Sequence, residues 1–200
     1  ARLAGFVAAR GATLVVDEIY QGLSYAGRPT TALALPGNLL VVNSFSKYFC
    51  MTGWRLGWVV LPEALVRPFE KLAQHFFICP SAIAQHAALA AFDPESIAVF
   101  EQRRAEFRRR RDLLVPSLES IGFAVPARPE GAFYVYADCT RFDSDAKQLS
   151  LDLLEHAGVA VTPGSDFGAN DTSHFMRFAY TRAYSDLEEG MARLRAACGS

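Results

Sequence analysis

The stretch Asn43-Ser44-Phe45-Ser46-Lys47-Tyr48-Phe49-Cys50-Met51-Thr52-Gly53-Trp54-Arg55-Leu56-Gly57-Trp58 decides how this chain is read. Just before it, Leu39-Leu40-Val41-Val42 follows Pro36-Gly37. A short apolar run bounded by turn residues is the pattern of a buried strand. The strand delivers two hydroxyls, Ser44 and Ser46, and then the amine of Lys47. Residues two apart on extended backbone share a face, so both hydroxyls can be aimed at one anion. Arg55 follows beyond Gly53. One amine, two hydroxyls and one guanidinium form a candidate cradle for a phosphate beside a reactive amine.

The strings Ser44-Phe45-Ser46-Lys47 and Gly53-Trp54-Arg55-Leu56-Gly57 resemble a known motif. It is the cofactor-lysine segment, Ser-x-Ser-Lys then Gly-x-Arg-x-Gly, of the fold-type I pyridoxal 5'-phosphate (PLP) enzymes. The likeness is to the class I/II, aspartate aminotransferase-like group in particular. Upstream, Thr13-Leu14-Val15-Val16 reads as a strand ending in Asp17-Glu18-Ile19-Tyr20. Ligands of parallel α/β sheets bind beyond the carboxyl ends of strands, where an acid and a phenol belong to a site more often than to a core. The plainer reading of Asp17 is an N-cap or turn acid. The resemblance implies that Asp17 pairs with the pyridine nitrogen and Tyr20 hydrogen-bonds the ring phenolate oxygen. It also implies that Lys47 forms the Schiff base and then moves the substrate proton, and that Ser44, Ser46 and Arg55 hold the phosphate. Tyr48 and Trp54, the other polar aromatics of the motif, read as packing.

The likeness continues downstream. Gly131-Ala132-Phe133-Tyr134 and Val161-x-Pro163-Gly164-x-x-Phe167-Gly168 are similar to strings of the same family, and Arg177 falls where the family clamps the substrate α-carboxylate. A guanidinium fork pairs with a carboxylate through two parallel hydrogen bonds. Phe175, Met176 and Phe178 suggest that Arg177 is buried, and a buried arginine needs an anion; the alternative is a surface charge paired with a neighbour. The implied reaction moves an amino group between an α-amino acid and a 2-keto acid. Lyases and decarboxylases on the same fold share Asp17, Lys47 and Arg55, so the motif leaves them open. A non-catalytic regulator derived from the PLP domain, or an inactive fragment, is a reading of another class.

The fold class expected is α/β. Residues 1–95 would be the C-terminal part of the large PLP domain, and residues 96–200 a small α+β C-terminal domain. Leu56 to Leu61 is a strand too close to the Lys47 strand for a crossover helix. It is therefore expected antiparallel in an otherwise parallel sheet. Ala1–Arg10 reads as a helix closed by Gly11 at C′, and residues 22–38 as loop. Helices are expected over 62–77 (Pro62 at N1), 82–92 (capped by Ser81), 96–121 and 147–156, and a last one opened by the capping box Ser185-Asp186-Leu187-Glu188. Strands are expected at 133–136, 159–161 and 175–180. By the resemblance the chain is the C-terminal half of a longer aminotransferase, and a homodimer.

The 200 residues carry a formal net charge of −1 and are 51% hydrophobic. That balance gives no general attraction to nucleic acid or anionic membrane. The arginines 103, 104 and 108–111 are interspersed with Glu101, Glu106 and Asp112, and read as a solvated helix face with i,i+4 pairs. No apolar run has the length of a membrane-spanning helix. Cys50, Cys79, Cys139 and Cys198 lack metal-ligand spacing and read as reduced, mostly packed thiols of an intracellular, cytoplasmic protein. No metal is expected, and His75 and His86 read as helix-surface or packed residues.

Overall fold

Helix α1 (Arg2–Ala8) stops where the glycine demands it. Gly11 has φ +62°, its N–H donates to Ala8 O at 3.0 Å, and Ala12 N–H donates to Val7 O at 3.2 Å. This is the paired closure of a Schellman end. The chain then enters β1 (Leu14–Asp17), β2 (Leu39–Ser44) and β3 (Gly57–Val60). β1 and β2 are parallel, and β2 and β3 antiparallel, in the order β1-β2-β3. The computed structural model describes residues 1–27 and 29–199; Arg28, within the predicted loop, lies outside the described residues.

Three helices follow: α2 (Glu63–Phe77), α3 (Ala82–Ala90) and α4 (Pro94–Ile121). Ser81 caps α3 by accepting from Ala84 N–H at 3.4 Å. The helix ends two residues before the predicted Phe92, as a turn. Pro62 is the N-cap of α2 rather than its first helical residue. Phe45, Met51, Ala88, Ala91 and Phe100 form one core cluster, with Tyr48, Phe49, Leu56 and Ile97 against it. The apolar and aromatic residues of the lysine motif thus anchor it to α3 and to the start of α4. Two compact units divide the chain at Arg104/Ala105, inside α4. The first turns of α4 go with the first unit because Phe100 and Glu101 are engaged there with Tyr48 and Phe49.

The second unit contains β4 (Tyr134–Asp138), α5 (Ala146–Asp152), β5 (Thr162–Pro163), β6 (Phe175–Ala179) and α6 (Tyr184–Cys198). Its sheet runs β4-β6-β5, antiparallel throughout. Period-two alternation buries Val135, Ala137, Met176 and Phe178 on one face. Tyr134, Tyr136, Phe175 and Arg177 then share the other.

Four local expectations change. The predicted strand 159–161 is unpaired, and pairing starts only at Thr162. α5 passes into a π-helical turn, Leu153–Ala157, before Gly158 closes it with φ +64°. The capping box of α6 does not form: Ala183 is the N-cap in place of Ser185, so the helix begins two residues early, at Tyr184. That shift places Asp186 at N3, where it meets the positive helix end and pairs with Arg182 at 3.0 Å. Arg111 is not solvated. It is 8% exposed and donates to Asp112 Oδ1 at 2.7 Å and to Pro129 O at 2.8 Å. Among the described residues no helix is long and apolar enough to cross a membrane.

Candidate active site

β1 and β2 end at the same edge, with Asp17 opposite Val42. Glu18 N–H donates to Val42 O at 2.8 Å, which carries the ladder one step past Asp17. Asp17 Oδ1 accepts from Ile19 N–H at 3.0 Å. This local turn swings the chain so that Tyr20 leads into the 3-10 turn Gln21–Leu23. Lys47 Nζ lies 5.6 Å from the centre of the Tyr20 ring.

The two serines and Arg55 come together, but not from one face of a strand. β2 stops at Ser44, so Ser46 lies in the turn beyond rather than on the strand. Ser44 Oγ accepts from Ser46 N–H at 3.0 Å and donates its one proton to Leu56 O at 3.1 Å; Ser46 Oγ, 2.9 Å away, donates to it in turn. Arg55 Nη1 donates to Ser46 Oγ at 3.4 Å and to Thr52 O at 2.8 Å. Arg55 adopts the left-handed conformation, φ +53°, at the end of the turn Thr52–Trp54. Among the described residues no carboxylate pairs with Arg55. A guanidinium and two hydroxyls converging without a carboxylate fit a phosphate oxygen set.

Several residues that hold this arrangement carry little signal in the sequence. Thr52 Oγ1 donates to Ser46 O at 2.5 Å. Glu18 accepts from Thr31 Oγ1 at 2.9 Å and from Ala32 N–H at 2.6 Å. It thereby ties the segment before β2 to the turn between Asp17 and Tyr20. An acid beside Asp17 could have been flagged; its partners thirteen and fourteen residues away could not. Tyr48 does pack, over Gly22, where a Cβ would come 2.6 Å from the ring. Its hydroxyl donates to Glu101 Oε1 at 2.6 Å. Trp54, expected to pack, is 45% exposed.

Arg177 belongs to the second unit, on the central strand β6, opposite Tyr136 of β4 and Thr162 of β5. Its guanidinium carbon lies 4.4 Å from the centre of the Tyr134 ring and 4.7 Å from that of Phe167. Nη2 donates to Thr162 Oγ1 at 3.3 Å. Nε is enclosed and has no hydrogen-bond partner. Burial pushes the neighbouring Tyr136 phenol above its ordinary pKa, so it stays protonated. Among the described residues no three His, Cys, Asp or Glu side chains group as a metal site would need.

Comparison with known proteins bears on this geometry. The family model for aminotransferase class I and II matches residues 1–194. The chain is 41% identical over 196 residues to a valine–pyruvate aminotransferase of Mycobacterium tuberculosis, covering 97% of this chain and 50% of that protein. It is 35% identical to a (5-formylfuran-3-yl)methyl phosphate transaminase of Methanocaldococcus jannaschii, covering 91% and 49%. An aminotransferase structure from Mycobacterium tuberculosis superposes with a TM-score of 0.93 at 40% identity, over 98% of this chain and 51% of that one. An aromatic aminotransferase from Pyrococcus horikoshii gives 0.91 at 35% identity, over 98% and 53%. The chain spans about half the length of the relatives it matches. A matching family model over nearly every residue, and relatives alike in sequence and fold, make this chain a member of the aminotransferase class I and II family.

Proposed function

We propose that the gene product carrying this sequence is a PLP-dependent aminotransferase, moving an amino group between an α-amino acid and a 2-keto acid. One observation carries the reading: Ser44 and Arg55 converge on Ser46 Oγ, one residue before a lysine that faces Tyr20. When bound, PLP withdraws electrons from the bonds at the substrate Cα. The protein's own groups do the rest. Lys47 holds the cofactor through its amine and, once released, carries the proton to and from the substrate. Asp17 keeps the pyridine nitrogen protonated, and Tyr20 donates to the ring oxygen. Ser44 and Ser46 hold the phosphate, with Arg55 supplying the charge-assisted bonds. Arg177 aligns the substrate through its α-carboxylate.

We assign the first compact unit, residues 1–104, to the cofactor-binding large domain and the second, 105–200, to the small domain, which moves the boundary expected at 95/96 into α4. We also propose a homodimer. Phe76 and Ile78, 78% and 80% exposed at the end of α2, are the kind of surface an assembly covers. Light scattering on the gene product tests that. Four free thiols support a reducing, cytoplasmic setting. Its partners are then small amino and keto acids, with no nucleic acid or membrane.

The experiment is a panel of amino-acid donors with PLP added. Keto acid plus the amine form of the cofactor is the expected product pair. Ammonia or CO2 instead would move the assignment to a lyase or decarboxylase. Lys47→Ala should abolish the visible absorption of lysine-bound PLP, and an undiminished band in that variant would end the assignment.

A further inference from the structure

We propose that Tyr134, Phe167 and Thr162 are positioning residues that hold the Arg177 guanidinium in a single plane for the substrate carboxylate, with the Tyr134 ring dominant. This rests on Arg177 being the carboxylate clamp. Register puts these groups together. Arg177 stands on the middle strand of a three-stranded sheet, with Thr162 opposite on β5. Tyr134 is two residues along β4 from Tyr136, the partner on the other side, and so shares the face.

Phe167 arrives from the 3-10 turn Gly164–Phe167 directly after β5. That turn can lie so close only because residue 164 is glycine. A Cβ there would meet the Thr172 carbonyl and, at 2.5 Å, the Tyr136 hydroxyl. Tyr136 is fixed in turn by stacking on Phe175, with centroids 4.8 Å apart and planes 8° from parallel.

The guanidinium therefore lies within cation–π distance of two ring faces. One nitrogen is tied to Thr162, and Nε has no acceptor. Arginine is a long, rotamer-rich side chain, and a ligand that must first immobilise it binds less tightly. Two rings and one hydroxyl hold it before the carboxylate arrives. The aromatic surround also thins the water around the cation, which strengthens a later pairing with an anion.

The test uses the PLP-loaded gene product and two matched probes. These are 2-methylalanine and isopropylamine, which differ by the carboxylate alone. Binding is read by calorimetry and by the cofactor spectrum. Tyr134→Leu should weaken 2-methylalanine about tenfold, the scale of one desolvated cation–π face, and leave isopropylamine within about twofold. Tyr134→Phe keeps the ring and should restore tight binding. Thr162→Val should weaken 2-methylalanine about threefold, as loss of one modest hydrogen bond would. With a good donor, KM should rise while kcat at saturation holds. If Tyr134→Leu weakens both probes alike, or neither, or if Tyr134→Phe is as weak as Leu, the proposal fails. Should the leucine variant not fold, Thr162→Val and Phe167→Leu decide in the same assay. Arg177→Ala separates the two levels. If it spares 2-methylalanine, the clamp itself is wrong; if it alone weakens that probe, only the positioning role falls.

Discussion

Replacing Gly57 with alanine should destabilise the first unit, and the same change at Gly53 should not. A Cβ on Gly57 would stand 2.8 Å from Asn43 O. That oxygen is backbone of β2, so it cannot rotate aside as a side chain would. Relief requires β2 and β3 to part where Ser44 faces Gly57, next to the Ser44 Oγ bond to Leu56 O. Overpacking of this kind costs about 1–3 kcal/mol. Gly53, in the turn Thr52–Trp54, has nothing within 4 Å of its added Cβ and no positive φ. Alanine there removes unfolded-state freedom and should stabilise by about 0.4–1 kcal/mol.

A gap of about 2–3 kcal/mol between the variants corresponds to roughly 1 M in the urea midpoint. Tryptophan fluorescence is the natural assay, because the two tryptophans of the chain, Trp54 and Trp58, both lie in the first unit. The Gly57 variant should also hold PLP more weakly, since Ser44 moves with the strand. Equal losses at the two glycines, or a neutral Gly57→Ala, would refute the steric reasoning.

Glu18→Ala strips the acceptor from Thr31 Oγ1 and Ala32 N–H, at a cost of about 1–3 kcal/mol. Limited proteolysis should then cut residues 22–31 faster, and an unchanged cleavage rate would deny Glu18 its tethering role. Burial, with the Asp138 charge adding to it, pushes the Cys139 thiol from an ordinary 9.0 to about 11. At pH 8 an alkylating reagent should therefore label the exposed Cys50 and Cys79 well before Cys139. Because the folded value is the higher one, Cys139 favours the fold below pH 9 and loses that contribution as pH rises toward 11. The urea midpoint should fall across that window less steeply in Cys139→Ala.

What could be read from the sequence was chemistry held together by adjacency along the chain. Ser44, Ser46 and Lys47 sit on one short segment, and Gly11 and Ser81 act on helix ends a few bonds away. The three strands of the first unit were legible for the same reason: an apolar run, a turn and a length too short for a crossover allow few arrangements. The parts that stayed hidden depend on groups meeting across long stretches of chain. Glu18 finds its acceptor role only once residues 31 and 32 come back over β1. Arg111 looked like one charge in a solvated row because the row is visible locally and Pro129 O is not.

The capping box shows the opposite error, in which a local signal is outweighed. Ser185-x-x-Glu188 has the right spacing, yet the helix starts two residues earlier and recruits Asp186 and Arg182 instead. Such a box is worth roughly one hydrogen bond, which a single tertiary preference for an earlier start can offset. The two glycines around Arg55 are the same lesson at the site itself. On paper they are equivalent flanks of one motif. In space one faces open solvent, and the other lets two strands close on the serine that meets Arg55 through Ser46. A motif therefore records which residues occur together, and only the distances say which of them the proposed phosphate cradle needs.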